Sequence, residues 1–233
     1  MKGNAMSDST DTQTHKDEQV KSKQRVADHG EVFTSLREVN AMLDLVKQET
    51  ERIESRFLEP ACGTGNFLAE ILKRKLDVVK KRYAKSQFDY ERYAVIAVSS
   101  VYGIDIQEDN VQDCRDRLFG IFKADYLELF KNNTKDDCRA SVQYILSHNI
   151  IHGDALSLQT VDDNPQPIIF SEWSPLNGSL IKRRDFSFGH LMSMASLKDE
   201  KEFTIFENED TVIPTPIREY APVHFLEIAY GYS

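Results

Sequence analysis

The chain has 233 residues, 40% of them hydrophobic and 29% charged, with a formal net charge of −9. These figures describe a globular protein of one domain, or one domain plus a small appendage, and no apolar run reaches the roughly 20 residues needed to cross a bilayer. The acidic balance argues against a stand-alone binder of phosphate backbones, which needs a concentrated basic face.

Cys62, Cys114 and Cys138 are odd in number and far apart, which fits reduced thiols and a cytoplasmic location better than a disulfide framework. The first segment, "MKGNAMSDSTDTQTHKDEQVKSK", has no apolar core of a secretory signal. Residues 1–24 read as a disordered tail. Residues 25–160 read as the principal domain, and 161–233 as an extension of it.

Val39, Met42, Leu43 and Val46 recur at helical spacing, with Ser35 as N-cap and Glu38 placed to complete a capping box. A short strand is expected at Ser55–Leu58, then a glycine-bearing loop, then a helix from Asn66 carrying Phe67, Leu68, Ile71, Leu72 and Leu76 on one face. Lys73, Arg74, Lys75, Lys80, Lys81 and Arg82 read as the solvated face of that helix. Glu91–Ser100 reads as a second helix. Val101–Ile106 is a buried strand ending in an acid, and "QEDNVQDCRDRLFGIF" is an amphipathic helix after it. Ser141–Leu146 is helical, and Asn149–Leu156 is another strand ending in an acid. This alternation predicts a parallel, doubly wound α/β sheet. From Pro167 to Phe188 two extended runs flank Asn177-Gly178, a dipeptide that favours a type I′ hairpin turn.

Three kinds of loop chemistry compete for "EPACGTGNF" (Glu59–Phe67). A phosphate-gripping loop needs Lys and then Ser or Thr after its second glycine, where Asn66 and Phe67 stand. A dinucleotide loop needs a small residue where Leu68 sits and an acid about 20 residues on, whereas the next strand-end acid is Asp105. An S-adenosylmethionine loop needs close backbone approach to a ligand without phosphates, and an acid at the next strand end to accept from ribose hydroxyls.

"RVADHGEVFTS", "FLEPACGTGNFL", "VYGIDI" and "IIHGDAL", in that order, resemble the N-terminal half of adenine-N6 DNA methyltransferases of restriction–modification systems. The resemblance covers about Arg25 to Leu156. It implies a Rossmann-like S-adenosylmethionine-binding sheet with S-adenosyl-L-methionine as cofactor. By the same resemblance Phe33 and Thr34 fold over the cofactor. Glu59, Pro60, Ala61, Gly63, Gly65, Asn66 and Phe67 form its cradle. Asp105, followed by Ile106, binds the ribose, and Asp154, followed by Ala155, contacts the adenine amine. Ser35 stands where the family usually has proline.

The family's catalytic tetrad (Asn, Asp or Ser, then Pro-Pro, then an aromatic) occurs nowhere in the sequence. Ser171-Glu172-Trp173-Ser174 fills its expected place. There Ser171 and Trp173 are the candidate catalytic residues, set against a plain hairpin in which Trp173 is a packing residue. After Ser174 only 59 residues remain, fewer than a full methyltransferase sheet needs, so the sheet is expected to be C-terminally shortened. Catalysis and target recognition would then need a second protein subunit or self-association, with DNA reached through that partner and no membrane involved. The rival reading is a non-catalytic cofactor-binding scaffold or sensor. His148 and His152 complete no metal site. Cys62 reads as a packing residue, and Lys182–Asp185 as a solvated hairpin strand or, alternatively, a contact to DNA or a partner.

Overall fold

A computed structural model describes residues 34–193 and 214–232. The segment 1–24 and Phe33 lie outside the described residues. The chain divides into two units, Met1–Leu45 and Val46–Ser233.

In the first unit, α1 spans Leu36–Leu45. Its start follows from two neighbouring side chains. Ser35 Oγ accepts from the Glu38 N–H (3.4 Å), and Glu38 Oε2 accepts from the Ser35 N–H (3.2 Å) and Oγ–H (2.7 Å). This is the reciprocal capping box expected of that spacing. Val39 and Leu43 are buried, but Met42 is 55% exposed and Val46 lies past the helix end, so the apolar face is narrower than the spacing suggested.

The second unit opens with a short helical segment, α2 (Lys47–Thr50). Next come β1 (Phe57–Glu59), α3 (Asn66–Tyr83), α4 (Gln87–Ser99) and β2 (Val101–Asp105). They are followed by α5 (Glu108–Phe130), α6 (Asp136–Asn149) and β3 (Ile150–Asp154). Ser86 caps α4 by accepting from the Asp89 N–H. The strands β1, β2 and β3 are parallel and adjacent, in register Phe57↔Val101 and Ile104↔Ile151. A two-residue β4 (Gln159–Thr160) lies antiparallel on β3. The strand order β1-β2-β3-β4 never reverses. The protein is therefore mixed α/β, but among the described residues the sheet is not doubly wound as the strand–helix alternation predicted.

A second, antiparallel sheet explains the difference. The strands β5 (Ile169–Pro175) and β6 (Leu180–Ser187) pair over seven positions, and β7 (Arg218–Glu219) and β8 (Val223–His224) add to β6. Phe170 and the neighbouring Ile168 and Phe188 pack on Tyr102 and Ile104 of β2. On that face of the parallel sheet a hairpin takes the place of a further helix layer. Gly103, on the opposite face of β2, meets Cys62 and Leu68, so only glycine fits there. A last short helix, α7 (Ile228–Gly231), closes the chain.

The hairpin stands where expected, but its turn is of another kind. The Leu176 N–H donates to Leu180 O (2.9 Å), leaving three residues in the loop, and among the described loop residues only Gly178 has positive φ, at 75°. A type I′ turn needs two central residues in that region; Asn177 is not one of them.

Among the described residues no helix is long and apolar enough to cross a membrane.

Candidate functional site

The glycine loop leaves β1 at Glu59 and is tied back at three points. The Cys62 N–H donates to Ile104 O (2.9 Å), which continues the β1–β2 ladder beyond the strand. The Gly65 N–H donates to Cys62 O (2.8 Å), and the Ala69 N–H to Gly65 O (2.8 Å) starts α3. Gly63 and Gly65 have φ of 52° and 82°, the left-handed region where side chains are disfavoured. Gly65 has a packing reason as well: a Cβ there would lie 2.6 Å from Cys114 Sγ on α5.

Asp105 closes the loop from β2. Its Oδ2 accepts from the Gly63 N–H (2.8 Å), and its Oδ1 from the Gln107 N–H (2.9 Å) and Asn110 Nδ2 (3.3 Å). Arg117, which the sequence reading did not single out, holds the far side: Nη1 donates to Asn66 Oδ1 (2.5 Å) and Thr64 O (3.4 Å). Cys114 and Arg117 are three apart on α5 and so share a face. That spacing was the available sequence signal.

Asp154 ends β3, next to β2. Its oxygens accept from the Leu156 N–H (2.9 Å) and the Ser157 N–H (3.3 Å), and these bonds hold its carboxyl below the usual range. Burial raises the half-buried Glu59 carboxyl, partly offset by a bond from the Ala61 N–H. Pro60 and Ala61 are exposed and Phe67 is half-buried. Ala155 leans on the Tyr102–Phe170 cluster. Two apolar side chains stay in solvent beside the acids, Ile106 at 45% and Leu156 at 95% exposure. The carboxyl edge of the parallel sheet therefore gathers the loop, Asp105 and Asp154, with bare apolar surface next to them. Thr34 belongs to the first unit.

Ser171 and Trp173 are interior. Ser171 Oγ donates to Asp185 Oδ1 (2.8 Å), its carbonyl accepts from Tyr102 Oη (3.0 Å), and Trp173 Nε1 donates to Asn149 Oδ1 (2.8 Å). Alternation along β5 turns both toward a buried cluster with Arg183 and Asp185. Here the solvated-strand reading of Lys182–Asp185 fails for Arg183 and Asp185, while Lys182 and Arg184 stay partly exposed. Arg183 and Asp185 form a buried, two-pronged ion pair (2.8 and 2.9 Å), and the Arg183 guanidinium lies over the Tyr220 ring at 4.5 Å.

Lys75 likewise leaves the exposed helix face predicted for it. It is fully buried, and its Nζ, with three N–H donors, stands within hydrogen-bond distance of four acceptors, Arg52 O, Ile53 O, Ser55 O and Ser100 Oγ. His148 sits on α6 and contacts Tyr144 O through Nδ1 (2.8 Å), and burial lowers it. His152 is on β3 and contacts Ile106 O through Nε2 (3.1 Å). Cys62 is buried, and contact with the Cys114 thiol together with burial pushes its thiol far up, which leaves little thiolate for nucleophilic chemistry.

No protein family, curated protein or solved structure gives a match to the chain.

Proposed function

We propose that the second unit binds S-adenosyl-L-methionine, and that the protein is a subunit of an adenine-N6-type DNA methyltransferase whose β1-β2-β3 strands correspond to one half of a Rossmann-like sheet. One observation carries this reading. The glycine loop, Asp105 and Asp154 stand at the carboxyl ends of three adjacent parallel strands, the edge at which open α/β sheets bind nucleotide-like ligands.

The residues fit such a group. A carboxylate offers roughly four acceptor directions, and Asp105 uses three, so one is left for a ribose hydroxyl. A grip on both hydroxyls requires the Gly63 N–H to move aside. Ile106 and Leu156 offer apolar surface to an adenine ring, and Asp154 offers an acceptor to its amine. When bound, the cofactor supplies an electrophilic methyl group. The chain's own part is to bind and orient it, and positioning of this kind supplies much of the acceleration in such transfers. With Ser171 and Trp173 turned inward, a second chain or second copy is needed to hold the acceptor amine and to contact DNA.

That inward packing also favours a second reading, a non-catalytic cofactor-binding scaffold. Calorimetric titration with S-adenosylmethionine, on the wild type and on Asp105→Ala, tests what the two readings share. Saturable binding that the substitution weakens about tenfold is expected, from loss of a charge-assisted hydrogen bond. Absence of binding to the folded chain overturns both. DNA methylation by the chain together with its partner then separates them.

A further inference from the structure

A cavity of about 390 Å3 lies away from the carboxyl edge, between β1 and the hairpin. Its volume falls within the roughly 300–1,000 Å3 of small-molecule sites. Leu58, which pairs with Tyr102 and shares its face, stands at its rim, 41% exposed. Phe170 and Phe186, a cross-strand pair, and Phe188 supply the walls. The next cross-strand pair on the same hairpin face, Glu172 and Arg184, also lines it, together with Arg56.

The charges in this lining do not cancel. The single Glu172 carboxylate is shared by two guanidiniums: Oε1 pairs with Arg56, and Oε2 lies 2.5 Å from Arg184 Nη2. One positive charge is left over. Arg184 Nη2 also donates to Ser174 Oγ (3.3 Å). Its Nε–H is buried with no hydrogen-bond acceptor among the described residues, and the facing Glu172 Oε2 is buried with no hydrogen-bond donor, so the close Nη2–Oε2 contact is an ion pair without hydrogen-bond geometry; buried polar groups are ordinarily satisfied. Two guanidiniums sharing one poorly engaged carboxylate beside an apolar cavity favour an anion with an apolar body. One surplus charge calls for a monoanion, since a dianion would carry an uncompensated charge into apolar surroundings. The flat guanidinium edge suits a carboxylate.

We propose that this cavity binds a small amphipathic monocarboxylate. Its apolar body lies among Leu58, Phe170, Phe186 and Phe188, and its carboxylate accepts from Arg184. The site stands apart from the strand-end acids and does not depend on the cofactor reading.

The test uses 8-anilinonaphthalene-1-sulfonate, an aromatic monoanion whose fluorescence rises in apolar surroundings, on the full chain with circular dichroism as the check of folding. Saturable binding at one site is expected. Arg184→Gln should weaken it about tenfold, and Glu172→Gln, which frees the guanidinium from its competitor, should tighten it about threefold. These opposite directions separate anion recognition from general loosening, which would shift both variants alike. 4-Phenylbutyrate should displace the dye at least about tenfold better than 4-phenylbutanol, which lacks the charge. No saturable binding to the folded chain, equal displacement by acid and alcohol, or indifference to both substitutions overturns the proposal.

Discussion

Lys75 Nζ donates to Ser100 Oγ across 2.7 Å, joining the middle of α3 to the residue between α4 and β2. The same ammonium reaches the carbonyls of Arg52, Ile53 and Ser55, so one side chain fastens the segment that leads into β1. Lys75→Met keeps the length of the stem but leaves two buried acceptors, Ile53 O and Ser100 Oγ, and two part-buried ones, Arg52 O and Ser55 O, without this donor. The expected loss is about 3 kcal/mol or more in urea unfolding, since each unsatisfied buried group costs roughly 1–3 kcal/mol. A loss under half a kcal/mol would show that the interior tolerates those bare acceptors.

The same lysine gives a pH dependence. Burial pushes it down to about 7 from its ordinary value near 10.5. Above pH 7 the unfolded chain therefore holds a proton that the folded chain releases, and stability rises with pH. The useful window is about pH 7 to 8, below the range where ordinary cysteine thiols titrate. Urea midpoints should climb across that window in the wild type and less steeply in Lys75→Met. Equal slopes would assign the rise to other groups.

Gly65 is constrained twice, by its φ of 82° and by Cys114 Sγ at 2.6 Å from where a Cβ would sit. Gly65→Ala should cost about 2–4 kcal/mol, combining backbone strain with the overpacked contact. Adding Cys114→Ala should restore the contact part and leave the strain. In a double-mutant cycle the coupling should be about 1 kcal/mol or more. Strict additivity would mean that the helix, not the thiol, limits the space.

Arg183 and Asp185 are buried together, with Ser171 Oγ and Tyr220 Oη also donating to the carboxylate. Asp185→Asn strands a buried guanidinium and should destabilise the protein by about 3–5 kcal/mol. Ser171→Ala removes one donor of several and should cost about 1 kcal/mol. On the proposed cofactor reading, calorimetry should find S-adenosylmethionine binding by Ser171→Ala unchanged. A large loss of binding in that variant, with the fold intact, would return Ser171 to the candidate site.

The sequence by itself determined what neighbouring residues decide. The Ser35–Glu38 box starts α1 because both partners lie within one helical turn. The apolar runs ending in Asp105 and Asp154 became adjacent parallel strands, and the runs around Asn177-Gly178 became a hairpin. Side-chain alternation and turn residues are local, so they can be read in order along the chain. The tertiary structure alone decided what depends on distant partners. Lys75 looks like any other basic residue of its helix until the carbonyls of residues 52–55 arrive over it. The "KRRD" run reads as solvated until Tyr144, Tyr220 and Tyr232 surround Arg183. The pairing of Leu176 with Leu180 overrode the turn preference of Asn177-Gly178. The doubly wound expectation gave way because the Tyr102 face of the sheet is covered by β5 and β6, and strand–helix alternation does not specify which later segment folds back onto an apolar face.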